Sequence, residues 1–239
     1  NKNDITHVGI CKDAPPYFRH DLYPEYKGDR PKAKTKEDGS VSLRELKNLS
    51  EPLVDEMLKL LGWGVSSVAR YEADDLIAHA SDTLYYDFDK IFISSNDDDL
   101  YQLLDKELKI NFIKSKGIYN DIDFQKEYQG ISKTQLISVL AQTGTHNAVA
   151  GIKGVGIKTG IKNVKCARSF RLLCKKHAGI IQRNKKLIEL PWEGLDDYVF
   201  PVGIHDYKER KIQNYLASHG VALQPYMLNA FNKVGNSYV

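Results

Sequence analysis

The chain has 239 residues, with 34 Lys and Arg against 31 Asp and Glu, a formal charge of +3, and 42% apolar residues. That is the balance of a globular protein long enough for one large domain or two small ones. No apolar run reaches the roughly 18 residues of a membrane-crossing helix, so a helical membrane protein is excluded and no membrane partner is expected. Cys11, Cys166 and Cys174 fit no metal spacing and predict buried thiols in a reducing compartment. Asn1–Asp4 runs straight into a strand pattern with no leader-like segment. A cytoplasmic chain that begins inside a domain is expected.

In chain order, "THVGICKD" reads as a buried strand ending at Asp13. Residues 14–40 are turn-rich and basic, a loop in which Tyr17, Phe18, Tyr23 and Tyr26 interleave with Lys27, Arg30 and Lys32. Aromatic side chains beside cations suit unpaired bases; simple packing is the alternative. "SLRELKNLSEPLVDEMLKLLG" places Leu53, Met57, Leu60 and Leu61 at helical spacing and stops at Gly62. A strand at 65–68, a helix over "EADDLIAHASDTLYY", and strands in "KIFISS" and "LKINFI" follow. This alternation predicts an α/β core with a mostly parallel, doubly wound sheet over 1–122. Beyond Asp123 the pattern turns helical, in "DFQKEYQ", "SKTQLISVLAQTG", "TGIKNVKCARSFRLLCKKHA" and "HDYKERKIQNYLASHG", giving a helical region over 123–239 that is expected to bind nucleic acid.

Charge is unevenly spread. Glu72–Asp105 holds ten acids and one base, Lys90, whereas Ala150–His177 holds eight bases and no acid. Such asymmetry suggests a polyanion at one region and cations at the other, although two solvated faces would have the same composition. In an open parallel sheet, ligands gather beyond the carboxyl ends of the strands. Asp13 ends one strand, Asp97 and Asp99 follow another, and Glu72, Asp74 and Asp75 open the helix that feeds it. Six carboxylates gathered there would repel one another unless cations lay between them. Oxygen ligands without His or Cys fit Mg²⁺ or Mn²⁺ rather than zinc. Two such ions can activate water and stabilise the leaving oxygen of a phosphodiester. Either acidic group alone has an ordinary explanation, as a helix's first turn favours acids and Asp-rich turns commonly follow strands. "GIKGVGIKTG", Gly151–Gly160, lets backbone amides approach a phosphate near a helix N-terminus; a tight helix–helix connection is the alternative.

These residues together resemble the structure-specific 5′ nucleases, the flap endonucleases and 5′–3′ exonucleases of bacteria and phages. "KDAPPYFRHDLYPEYKGDRP" is similar to the family's strand-end aspartate, Phe-Arg pair and Tyr-Lys-x-x-Arg stretch. "YEADDLIA" and "SSNDDDLYQLL" are similar to its carboxylate motifs, and "GIKGVGIKTG" to its helix–three-turn–helix. The resemblance implies a PIN-like nuclease core with a basic arch at about 30–45, and a helix–three-turn–helix at about 135–165. It implies that Asp13, Glu72, Asp74, Asp75, Asp97 and Asp99 hold Mg²⁺ or Mn²⁺, and that Lys27 and Arg30 act on the scissile phosphate. Arg19, Tyr26 and Lys32 would bind substrate, Tyr26 near unpaired terminal bases. Gly151, Gly154, Gly156, Lys158 and Thr159 would grip duplex backbone, around K⁺. The implied partner is DNA with 5′ single-stranded ends or flaps, acted on by a monomer.

Two departures stand out. The family's first strand, with a metal-binding aspartate, has no counterpart before Asn1. The Gly-Asp-x-x-Asp-Asn stretch is also replaced. Aligned without a gap, Gly144 and Asn147 stand where its aspartates would; shifted by one residue, Thr143 and His146 do. The exonuclease IX branch shares this loss. The alternatives are therefore a degenerate module that binds branched DNA, or a relative that removes RNA primers.

Overall fold

The computed structural model describes residues 5–28, 43–145, 149–204 and 209–222. In chain order the elements are β1 (His7–Cys11), α1 (Arg19–Leu22), α2 (Leu43–Leu60), β2 (Gly64–Ser66), α3 (Ala73–Thr83) and β3 (Ile91–Ile93). A 3-10 helix (Asp98–Leu103) then leads to β4 (Ile110–Lys114), β5 (Gly117–Tyr119), α4 (Asp121–Glu127) and α5 (Lys133–Thr143). The chain continues through β6 (Gly144–Thr145), β7 (Val149–Ala150), α6 (Ile157–Lys165), α7 (Ala167–Lys176), α8 (Ala178–Ile188), β8 (Gly203–Ile204) and α9 (Glu209–Ser218).

The chain forms two compact units. One comprises the described parts of 1–12, 31–67 and 199–239; the other is built from 13–30 and 68–198. In the first unit β1 lies between β2, which it pairs in parallel, and β8, which it pairs antiparallel. Helices α2 and α9 meet around Leu58, Leu61 and Ile212, with Trp63 and Val65 against them. Lys12, at the end of β1, is held by Glu51 at 2.7 Å and Asp55 at 2.8 Å on α2.

In the second unit β4 lies between β3, in parallel, and β5, antiparallel. Its core gathers Phe112, Phe124, Leu136 and Val139, all fully buried, with the Tyr101 ring edge-on to Phe112 and Phe124. Ser132 caps α5 by accepting from the Gln135 amide at 3.2 Å, while Gln135 accepts from the Ser132 amide at 2.8 Å. This reciprocal cap fixes where that helix starts.

The α/β class expected from the alternation is present, but the sheets are mixed rather than mostly parallel. The antiparallel members β5, β6, β7 and β8 span only two or three residues each, too short for an alternating pattern to register. The stretch read as one helix over 159–178 is two: Cys166, at φ −111° and ψ 100°, ends α6 and opens α7. Cys166 is exposed, contrary to the expected buried thiol. The arch expected at about 30–45, with Arg30 and Lys32, lies largely outside the described residues.

Candidate active site

The site is assembled within the second unit from five short segments. Asp13 stands at the start of the first, and its carboxylate accepts the Ala73 amide at 2.9 Å, so it sits at the first turn of α3. Exchanged backbone bonds hold the same segment to residues 70–71: Ala14 N to Tyr71 O at 3.0 Å and Arg70 N to Ala14 O at 2.8 Å. The first turn of α3 supplies Glu72, Asp74 and Asp75. The turn after β3 supplies Asp97, whose carboxylate caps the 3-10 helix by accepting the Asp99 amide at 2.9 Å. Glu72, Asp74, Asp97 and Asp99 line one cavity of about 50 Å³ together with Lys27, Tyr26 and Thr145. That is room for water or a bare ion.

The acids divide into two groups by their partners. Asp75, fully buried, receives both guanidinium nitrogens of Arg19 at 2.6 and 2.8 Å, the Glu72 amide at 3.1 Å and the Trp192 amide at 2.8 Å. These four acceptances occupy its oxygens, and Asp75 is not among the acids that line the cavity, where the expectation placed it. Arg19 is only 2% exposed, and its Nε donates to the Leu187 carbonyl at 2.8 Å. Burial alone would lower the Arg19 pKa, but the hydrogen bonds and charge of Asp75 outweigh it and the pKa is raised. Arg19, expected as a substrate contact, lines the cavity while its guanidinium is committed to Asp75 and Glu72. Tyr26 is likewise buried, its hydroxyl donating to Glu72 at 2.8 Å. Burial and the Glu72 charge raise its pKa, and it offers no open ring face to a base. Glu72 is neutralised by Arg19 at 3.1 Å and by Lys27.

Asp74 and Asp99 are different. Burial, then the charges of Asp97 and Glu72, push the Asp74 carboxyl up to about 7, with Asp13 adding to the rise and Lys27 opposing it. Burial, then Asp97 and Asp74, push Asp99 to about 7 as well. Partly desolvated acids that raise one another's pKa lack positive charge. Among the described residues no three His, Cys, Asp or Glu side chains are gathered closely enough to chelate an ion as they stand. The deficit of charge in the cavity nevertheless fits a divalent cation, with the oxygen-only donors that Mg²⁺ or Mn²⁺ prefers.

Two cations line the cavity, Arg19, which is paired with Asp75, and Lys27. Lys27 has a left-handed backbone, φ 57°, an unfavourable conformation for a residue with a Cβ. Its ammonium reaches Glu72 and lies 5.0 Å from the Tyr17 ring centre and 5.4 Å from that of Tyr26.

The apolar part of the lining was not read from the sequence. Leu187, Ile188 and Leu190 line it, and Gln102 holds it. The Gln102 amide donates to Asp99 O at 2.9 Å and Ile188 O at 3.1 Å, and its oxygen accepts Leu190 N at 3.1 Å. A polar residue amid the apolar run of the 3-10 helix is the signal that could have revealed it. Thr145 and Val149, from the β6–β7 hairpin, complete the lining. Gly144, at φ 77°, and Gly151 approach through their backbones: a Cβ on Gly144 would strike Val149 O, and one on Gly151 would strike Thr143. In this hairpin Gly144 has no room for a Cβ, so the ungapped position offers no carboxylate. His146 and Asn147 lie outside the described residues. The fully buried Asn184 side chain braces the hairpin by donating to Ala141 O and Ala150 O at 3.0 and 2.9 Å, and the Gln142 backbone carbonyl accepts the Ile152 amide at 2.7 Å.

Gly151 therefore serves close packing rather than an open grip. Gly154, at φ 83°, and Gly156 have no neighbour within 4 Å of a notional Cβ. They are exposed at the start of α6, beside exposed Lys158 and Thr159.

Residues 1–129 match the family described as 5′-3′ exonuclease, N-terminal resolvase-like domain. The chain belongs to that family. It is 33% identical over 155 residues to the 5′-3′ exonuclease of Mycoplasma pneumoniae, across 63% of this chain and 50% of the relative. The chain thus spans about half the length of that curated relative. Flap endonuclease-1 of Methanococcus jannaschii superimposes with a TM-score of 0.61 at 16% identity, over 98% of this chain and 76% of that one. The flap endonuclease D15 of bacteriophage T5, solved in complex with DNA and metal ions, gives a TM-score of 0.56 at 20% identity, over 93% and 79%. At such identities the two structures show the fold.

Proposed function

We propose that this chain hydrolyses phosphodiesters near junctions between a 5′ single strand and duplex DNA, with divalent metal. The observation that carries this reading is the cavity in which Asp74 and Asp99, pushed up to about 7 by burial and by neighbouring acids, face Asp97 and Lys27. Asp74, Asp97 and Asp99 would hold the metal, with Asp13 at the margin. A bound divalent ion there would supply a water of lowered pKa and positive charge for the leaving oxygen. Lys27 would turn from Glu72 toward the phosphate and stabilise its developing charge. Leu187, Ile188 and Leu190 would limit water in the cavity, which strengthens every charge interaction inside. The exposed turn at Gly154–Gly156 and Lys158 would carry duplex backbone, with K⁺ against its carbonyls. The relatives' names and the DNA and metal ions bound by the T5 enzyme support the same reading.

A second reading, a branched-DNA binding module without cutting, is favoured by one observation: Gly144 has no room for a carboxylate. A 5′-flap substrate with Mg²⁺ or Mn²⁺ separates the two. The nuclease reading expects cleavage, reduced far more than binding by Asp97→Asn. Flap binding without cleavage in either metal leaves the second reading. An all-RNA 5′ arm tests the primer-removing alternative in the same assay.

A further inference from the structure

Helices α6, α7 and α8 form the most one-sided charge distribution in the chain. From Gly151 to Ile188 there are eleven Lys and Arg and no Asp or Glu. A solvated helix face normally alternates signs, so that i,i+4 partners attract. Here the spacings bring like charges together: Lys158 with Lys162, Arg168 with Arg171, and Arg171 with Lys175. Each such pair is mildly destabilising in isolation. Helix α7 has no buried residue, and Arg168, Arg171, Lys175 and Lys176 are exposed. Among the described residues none of these four is in an ion pair. Leu172, 59% exposed, lies among them. Residues 168, 171, 172 and 175 share one side of the helix by spacing. α7 follows α6 directly through Cys166 and packs against it, so the basic run continues along the chain from the open glycine turn that precedes α6.

We propose that α7 is a second nucleic-acid contact, a basic ridge that takes the phosphate backbone of a duplex past the glycine turn, with Leu172 against the sugar edge. The proposal rests on the nuclease reading but adds a surface that the cavity and the turn do not require. Ten helical residues span about 15 Å, the axial length of roughly four base pairs. Phosphates there would relieve the self-repulsion of the helix, and Arg is suited to hold them through paired donors.

The test is the salt dependence of binding to a fluorescein-labelled 24-base-pair DNA duplex with a 5′ single-stranded arm, in EDTA so that nothing is cut. The wild-type chain is compared with Lys158→Ala and with the triple variant Arg168→Ala, Arg171→Ala, Lys175→Ala. The triple variant should reduce the slope of log K against log salt by about two to three, at roughly 0.9 per phosphate. The swap Arg168→Lys, Arg171→Lys, Lys175→Arg should keep the slope, which separates lost charge from a damaged helix. A wild-type chain that ignores the duplex would overturn the nuclease reading and the ridge with it. Wild-type binding that Lys158→Ala weakens, with an unchanged slope in the triple variant, would overturn the ridge alone. So would anionic phospholipid vesicles that bind the wild type but not the triple variant while the DNA slope stays constant.

Discussion

Asp75 and Asp97 are two acids of one motif type with opposite expected behaviour. Asp75 is paired in the interior with Arg19, and removing one partner of such a pair strands the other's charge. Asp75→Asn should cost about 3–5 kcal/mol in urea unfolding, whereas Asp97→Asn, on an exposed side chain, should leave stability nearly unchanged. Equal stability losses would mean that Asp75 belongs with the cavity acids after all. Asp99 gives a pH-dependent expectation. Its carboxyl titrates at about 7 in the folded chain against 3.8 ordinarily, so the folded state binds its proton more tightly than the unfolded state does. Its contribution favours folding at low pH and is lost as pH rises from about 4 to about 7. Asp99→Asn should therefore stabilise the metal-free protein at pH 8 by on the order of 1–3 kcal/mol and change little at pH 4. Thermal melts at the two pH values check this; a uniform shift would contradict it.

At the scale of elements, the β6–β7 hairpin and the 3-10 helix set what the cavity can become. Gly144→Asp combines a left-handed φ with a Cβ collision against backbone and should destabilise by about 3 kcal/mol or more. Thr145→Asp, on the cavity wall, should be tolerated and should tighten Mn²⁺ binding measured by electron paramagnetic resonance; no gain there would place the hairpin too far from the acids to share an ion. Gln102→Leu keeps the bulk but removes three bonds between the Asp99 turn and the 188–190 wall. It should weaken Mn²⁺ binding more than a core change such as Val139→Ala at matched stability loss. The principal helices and the strands β1, β3 and β4 were legible in the sequence, because burial imposes periods that survive in residue order. The acids of α3 and of the Asp97 turn were legible too, since charge beside buried runs demands a reason. The Arg19–Asp75 pairing was hidden because it joins positions 56 apart. The α6–α7 break was hidden because the apolar period runs through it. The Gly144–Gly151 contact was hidden because backbone approach leaves no side-chain pattern.

At the scale of the molecule, each unit holds one tryptophan. Trp63 packs beside Leu58 and Leu61 in one unit, and Trp192 lies under the Arg19 guanidinium at 5.1 Å in the other. Single-tryptophan chains made with Trp63→Phe or Trp192→Phe report the units separately. Arg19→Leu should lower the unfolding midpoint seen by Trp192 more than that seen by Trp63; identical shifts would mean that the two melt as one. The chain passes between the units four times, after residues 12, 30, 67 and 198. In genetic terms this makes the cavity hard to inherit as a cassette. A recombined segment 68–198 would carry every acid that lines the cavity, but leave Arg19, Tyr26 and Lys27 in the donor. The recipient would receive Glu72 and Asp75 without the cations that neutralise them, so such a crossover would be selected against before any question of catalysis arose.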